Sequence, residues 1–198
     1  MQSANQNWET IFRGIMGKYV FIAILCIFFM AACEKRNHNE LILFDFESES
    51  VFDEFHWKCR TLFSLSDDHA VQGKKSLKLE FYPSSYPGLS PALTHHDWRG
   101  YQAFCFEVYN PSSETVDLVV RIDDKKDAFE HSDRYNKIFL LLPGANSIKI
   151  PLDSLETSGT KRLLDLKNIY RFLVFMSHPD KIHVLYLDYF RLIPLEPA

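Results

Sequence analysis

The sequence predicts an all-β fold, two antiparallel sheets packed face to face as a β-sandwich or jelly roll, behind an N-terminal signal helix. Three observations predict it. Apolar residues alternate with period two in a series of short segments. Clusters of Pro, Gly, Asn and Ser separate those segments, and no long amphipathic helix interrupts them. Phe, Trp and Tyr make up 15% of the chain, a density that suits either a β core or a flat binding platform.

The strands follow in order. Residues 41–47, Leu-Ile-Leu-Phe-Asp-Phe-Glu, open the first. Residues 76–82 place Leu77, Leu79 and Phe81 on one face, and residues 101–109 do the same with Phe104, Phe106 and Val108. The turn Asn110-Pro-Ser-Ser-Glu leads into residues 116–123, where Leu118, Val120 and Ile122 share the inner face and Val119, Arg121 and Asp123 the outer one. Residues 137–142 are apolar until Pro143-Gly144 breaks them, and residues 147–152 turn Ile148, Ile150 and Leu152 inward. Residues 170–176 and 183–192 complete a set of about eight. Single helical turns are expected only at residues 165–168 and 152–156.

Residues 1–40 read differently. Tyr19 to Ala32 is an unbroken apolar run, shorter than the roughly 20 residues a spanning helix needs and of the length of a signal-peptide core. Arg13 and Lys18 precede it, and Met30-Ala-Ala-Cys33 follows. The last four residues resemble a bacterial lipobox, which implies cleavage before Cys33 and lipidation of that cysteine. An uncleaved N-terminal anchor is the alternative; both tether the chain to a membrane. Met16-Gly-Lys-Tyr makes a tidier signal start than Met1, so residues 1–15 read as an over-extended start. Domain organisation is then signal peptide 1–32, lipidated Cys33 with a polar tether to residue 40, a sandwich domain over 41–194, and a tail 195–198. Glu34 after the cysteine resembles lipoproteins sent to the outer membrane of Gram-negative bacteria.

The full chain carries a net charge of −4, and Glu9, Arg13 and Lys18 make the part after residue 32 one unit more acidic. That balance argues against a nucleic-acid partner, which calls for a basic face. Cys26 lies in the signal core, leaving Cys59 and Cys105 for the exported domain, either bridged or free. Free thiols are the reading adopted, because Cys105 sits inside an apolar strand.

Four phrases resemble the jelly-roll, galactose-binding-like carbohydrate-binding modules of secreted bacterial proteins. They are Phe44-Asp-Phe-Glu47, Val71-Gln-Gly-Lys-Lys-Ser-Leu-Lys-Leu79, Asp97-Trp-Arg-Gly-Tyr101 with the strand after it, and Tyr186-Leu-Asp-Tyr-Phe-Arg-Leu192. The resemblance spans about residues 41–193. Within it, Arg121-Ile-Asp-Asp124, His131-Ser-Asp-Arg-Tyr-Asn136 and Leu142-Pro-Gly-Ala-Asn-Ser-Ile-Lys-Ile-Pro-Leu152 are similar to a subgroup found alone or fused to VanZ-like membrane proteins.

The resemblance implies a structural calcium ion. In such modules an acid of the opening strand and one of the closing strand share calcium with backbone carbonyls near the Gly-x-x-Ser loop. This points to Asp45, Glu47 and Asp188, with Gly73 and Ser76 beside the ion, an oxygen-rich set of the kind calcium takes. Otherwise these acids cap turns or pair with Lys74 or Arg191. The implied function is non-catalytic binding of a poly- or oligosaccharide. Arg121, Asp123, Asp133, Arg134 and Asn136 form the polar half of the expected site, since guanidinium, carboxylate and amide groups grip sugar hydroxyls in pairs. An internal salt-bridge network pinning the 124–133 loop to the sheet explains the same residues. Trp57, Tyr82, Tyr86 and Tyr135 are candidates for stacking on a sugar ring, whereas Trp98 reads as a packed corner residue.

Other chemistries find little footing. His95 and His96 are adjacent and point apart on an extended chain, and His131, His178 and His183 lack metal-ligand spacing. No nucleophile elbow or phosphate-cradling loop is present in the sequence. Asp123, Asp124 and Asp127 offer an acid–base pair for a glycan-cleaving jelly roll, but beside Lys125-Lys126 they read as a solvated, charge-balanced loop. An envelope protein bound in place of a glycan is the remaining alternative.

Overall fold

In the computed structural model, which describes residues 40–127 and 130–196, eleven strands among the described residues build two antiparallel sheets. They are β1 (Leu41–Phe44), β2 (Phe55–Cys59), β3 (Thr61–Ser66), β4 (Ser76–Phe81), β5 (Gly88–Pro91), β6 (Tyr101–Asn110), β7 (Val116–Asp123), β8 (Tyr135–Leu141), β9 (Gly144–Pro151), β10 (Arg171–Phe175) and β11 (His183–Pro194). The first sheet runs β3-β4-β11-β6-β9, with β1 also paired to β11; the second runs β2-β5-β10-β7-β8. The expected β-sandwich is the observed one.

Period-two alternation works as elementary pleating requires. Leu77, Leu79, Phe81, Phe104, Phe106, Leu118, Val120 and Ile122 are all completely buried. Long β11 organises the first sheet: β4 pairs along residues 183–187, and β1 takes the same edge from Phe190 onward. A bulge between Asp188 and Arg191 separates the two, with Tyr189 at φ 56°. That irregularity swings Phe190 into the core. Its ring meets Phe106 face to face at 4.5 Å, Phe172 at 5.5 Å, Phe46 at 5.6 Å and Phe104 at 6.0 Å. Phe172 comes from the other sheet, so this one ring couples the two layers. Trp98 is fully buried against Phe104, and its indole N–H donates to the His95 carbonyl, as a corner residue does.

Three strands escape the sequence pattern: β2, β3 and β5. Gly88-Leu-Ser-Pro91 consists half of turn residues, and it forms a strand because both neighbours, β2 and β10, supply partners. Of the two expected helical turns, residues 165–168 form one, capped by Asp165 on the Lys167 N–H, while residues 152–155 form only a turn. Two further 3-10 turns, Glu49–Glu54 and His131–Asp133, were not foreshadowed. Cys59 and Cys105 are free, and burial raises the Cys105 thiol above its ordinary value. The signal peptide, Cys33 and the tether up to residue 39 lie outside the described residues. Among the described residues no helix is long and apolar enough to cross a membrane.

Truncating the ring that joins the layers should be costly. Phe190→Ala is expected to lower stability by about 3–5 kcal/mol, read as a fall in the denaturant midpoint with an unchanged slope.

Candidate functional site

The outward face of the second sheet carries a cleft of about 610 Å3, within the range that ligand pockets occupy. Strand register builds its floor in rows. Asn136, Arg121 and Leu173 lie side by side across β8, β7 and β10, and the next row holds Ile138, Val119, Phe175 and Gly88. Gly88 is needed there: a Cβ would stand 2.4 Å from the Cβ of Phe175, so any larger residue pushes β5 off β10. Trp57 of β2 pairs with Ser90 of β5 and lines one end. Tyr86, exposed in the loop before β5, stands edge-on to Phe175 at 5.9 Å and to His178 at 5.2 Å.

Beneath the polar half lies Asp123, a carboxylate with no exposed surface. A buried charge survives only when paired, and Asp123 is paired twice. Arg121 Nε and Nη2 donate to its two oxygens at 2.8 and 2.7 Å, and Arg171 Nε donates at 2.7 Å from β10. Arg134 is a third guanidinium at the same place. Burial, followed by the charge of Arg121, lowers it from its ordinary value. Arg134 Nε and Asn136 Nδ2 are shut from solvent and have no protein acceptor.

The expected sugar-binding residues therefore divide. Trp57, Tyr86, Arg121, Arg134 and Asn136 come together along the cleft. Asp123 lies under it, consumed by two arginines. Tyr135 falls in the inner row opposite Ile122 and packs against the core, where burial pushes its hydroxyl well above the usual value. Tyr82 follows β4 in the other sheet, its hydroxyl donating to Glu80 at 3.5 Å. Asp133 faces Lys125 at 2.6 Å and Arg162 at 2.9 Å.

The acidic pair Asp123-Asp124 is no solvated loop: Asp124 is also buried. Arg162 Nη1 and Nη2 donate to its oxygens at 2.6 and 3.0 Å, and the Asp165 N–H adds a third bond at 2.8 Å. Arg162 thus joins Asp124 to Asp133 and holds the segment after β7 against the loop that carries it. The pinning network and the ligand cleft both exist, side by side. Arg162, Arg171, Lys137 and Ser158 were not singled out in the sequence, and His131 was weighed there only as a metal ligand and as part of the 131–136 motif. Arg171 is recognisable only once β10 is known to pair with β7, which sets it opposite Asp123.

The expected calcium residues also divide. Glu47 Oε1 accepts the N–H groups of Lys74 and Lys75, at 2.8 and 2.9 Å, and Asp188 Oδ2 accepts those of Val71 and Gln72, at 2.6 and 2.9 Å. Gly73, at φ 73°, lies so close that a Cβ would stand 2.3 Å from Glu47 Oε1. Ser76 Oγ donates instead to the Asp68 carbonyl, and exposed Asp45 accepts the Glu47 N–H. Burial raises Asp188 above its ordinary value, and the Glu47 charge adds to the effect. Two like charges on one loop fit a cation in sign. The groups turned toward them are nevertheless amide N–H donors rather than carbonyl oxygens. Among the described residues no group of three or more His, Cys, Asp or Glu side chains could hold a metal ion.

No family model matches the chain. It is 23% identical over 167 residues to β-agarase B of Vibrio sp. strain JT0107, an alignment that covers 75% of this chain and 17% of that enzyme. Among solved structures, it is similar to a family 11 carbohydrate-binding module of Clostridium thermocellum in complex with a β-1,3-1,4-mixed-linked tetrasaccharide. The TM-score is 0.63 at 14% identity, covering 80% of this chain and 98% of the module. An exo-β-agarase matches with a TM-score of 0.65 at 17% identity, over 79% of this chain and 26% of the enzyme. The likeness is one of fold: a carbohydrate-binding-module sandwich, which in the agarases occupies only part of a longer chain.

The Asp124 clamp sets a pH response. Burial pushes its carboxyl up, but the Arg162 guanidinium and the Asp165 amide outweigh it and hold the group below its ordinary value. Because the folded value is depressed, the stabilisation is present above about pH 4 and lost as pH falls below it. Asp124→Asn is expected to lower stability at neutral pH and to flatten the acid limb of a stability-against-pH curve measured by urea unfolding.

Proposed function

We propose that this chain is a surface-tethered lipoprotein, anchored by lipid on Cys33, whose sandwich domain binds a poly- or oligosaccharide without cleaving it. The observation that carries the reading is the cleft, where Trp57 and Tyr86 stand beside the forked donors of Arg121, Arg134 and Arg171. A pyranose has apolar faces that lie against rings and a rim of hydroxyls that meets guanidinium and amide groups. The fold likeness to a module solved in complex with a tetrasaccharide supports the same reading. Cleavage would need a pair of carboxylates flanking the sugar, and no Asp or Glu is among the residues lining the cleft. Binding in so open a site is weak, and many lipid-held copies on one surface offset that by avidity.

An envelope protein as ligand calls for a filled, salt-bridged face. Asp123 and its arginines fill part of this one, but the Trp57–Tyr86 end is open, which favours the glycan. The reading also includes a structural calcium ion at Glu47 and Asp188, which would have to displace the Val71, Gln72, Lys74 and Lys75 N–H groups that now meet these carboxylates.

A glycan array probed with the full-length protein in non-ionic detergent tests the reading. Specific binding is expected, weakened roughly tenfold or more in Trp57→Ala at an unchanged melting temperature. Folded protein that captures no glycan would overturn it. Calcium is checked separately, as a melting temperature expected to rise with added calcium and to fall with chelator. Indifference to both would remove the ion from the reading.

A further inference from the structure

Charge distribution on the cleft narrows the ligand. Among the described residues, those lining it include four cations, Arg121, Arg134, Lys137 and Arg171, and no acid. The carboxylate bonded to Arg121 and Arg171 is Asp123 beneath the floor, which neutralises one of those charges. Positive charge is therefore concentrated here in a chain whose overall balance is −4. A neutral sugar can accept charge-assisted bonds from these groups, but it brings no countercharge to the excess, whereas an anionic one brings both. Three guanidinium groups around a single carboxylate repel one another unless further negative charge arrives. The wall beside them also holds more donors than acceptors: Arg134 Nε and Asn136 Nδ2 lack protein partners. A planar fork of this kind matches carboxylate or sulfate oxygens two at a time.

Resting on the glycan-binding reading, we propose that the ligand is an anionic glycan, whose carboxylate or sulfate groups sit against Arg134 and Arg171 while its rings lie toward Trp57 and Tyr86. Nucleic acid shares the charge, but the acidic remainder of the chain offers it no basic track beyond the cleft.

The test is isothermal titration of the full-length protein in non-ionic detergent with four probes. These are agarose oligosaccharides as the neutral galactan, a sulfated galactan of equal length, oligogalacturonate, and a single-stranded oligonucleotide as an unrelated polyanion. The sulfated or the uronate probe is expected to bind at least tenfold more tightly than the neutral one, and which of them does so identifies the anionic group. That preference should shrink as salt rises, and Arg134→Gln should erase it. Trp57→Ala should weaken every glycan alike. Equal binding of neutral and anionic glycans, insensitive to salt, would overturn the inference and leave glycan binding standing. The same holds if the oligonucleotide binds as tightly as the anionic glycan. Binding of no glycan at all would overturn both.

Discussion

The cleft rests on one buried carboxylate. Asp123 ends β7 with no exposed surface; its two bonds to Arg121 lie within that strand, and the one from Arg171 fastens β10 to β7 from the outer side. Removing the anion would leave two guanidinium groups facing each other and a third, Arg134, close behind. That is the case in which a broken buried pair costs several kcal/mol rather than the fraction that a surface pair is worth. The same carboxylate fixes the direction of both forks. A ligand bound as proposed would meet donors already oriented, with little side-chain entropy left to lose.

The sandwich divides its labour between its sheets. The first supplies β11, the bulge at Tyr189 and the Phe190 ring on which both layers pack. It also holds the Glu47–Asp188 loop, so that corner governs stability and lies in the sheet that does not carry the cleft. The second sheet buries one face under that aromatic core and leaves the other to chemistry. Its middle strands β7 and β10 carry the charged residues, while β2 and the loop before β5 supply the rings.

Local pattern made the fold legible. Leu118, Val120 and Ile122 alternate in a way that only a half-buried strand explains, and the outward placing of Arg121 followed from it. Strands β2, β3 and β5 stayed hidden because pairing, rather than their own sequence, makes them strands: Gly88 and Pro91 look like a turn until β2 and β10 lie alongside. The site was legible in half. Trp57, Tyr86, Arg121, Arg134 and Asn136 do share one cleft. The depth of Asp123 and Asp124 was hidden by the lysines that follow them, since adjacency in sequence suggested a charge-balanced loop. Besides Arg121, two residues away, their partners are distant: Arg171 becomes visible only through strand register, and Arg162 only once the segment between β9 and β10 is seen to fold back over the end of β7. Tyr135 misled for a similar reason: one step along a strand exchanges the cleft for the core.

Charge and shape in the cleft separate two kinds of recognition. On the proposed reading, the rings at the Trp57 end would meet the apolar faces that most pyranoses share and supply adhesion with little selectivity. The arginines would meet whatever the sugar carries at its rim, and their excess of positive charge would reward an acidic substituent over a hydroxyl. The chain as a whole is acidic, so on the proposed reading the local excess of positive charge at the cleft would favour that place for an anionic ligand. A tethered protein built this way would hold an acidic polysaccharide by its substituents and let a neutral one go.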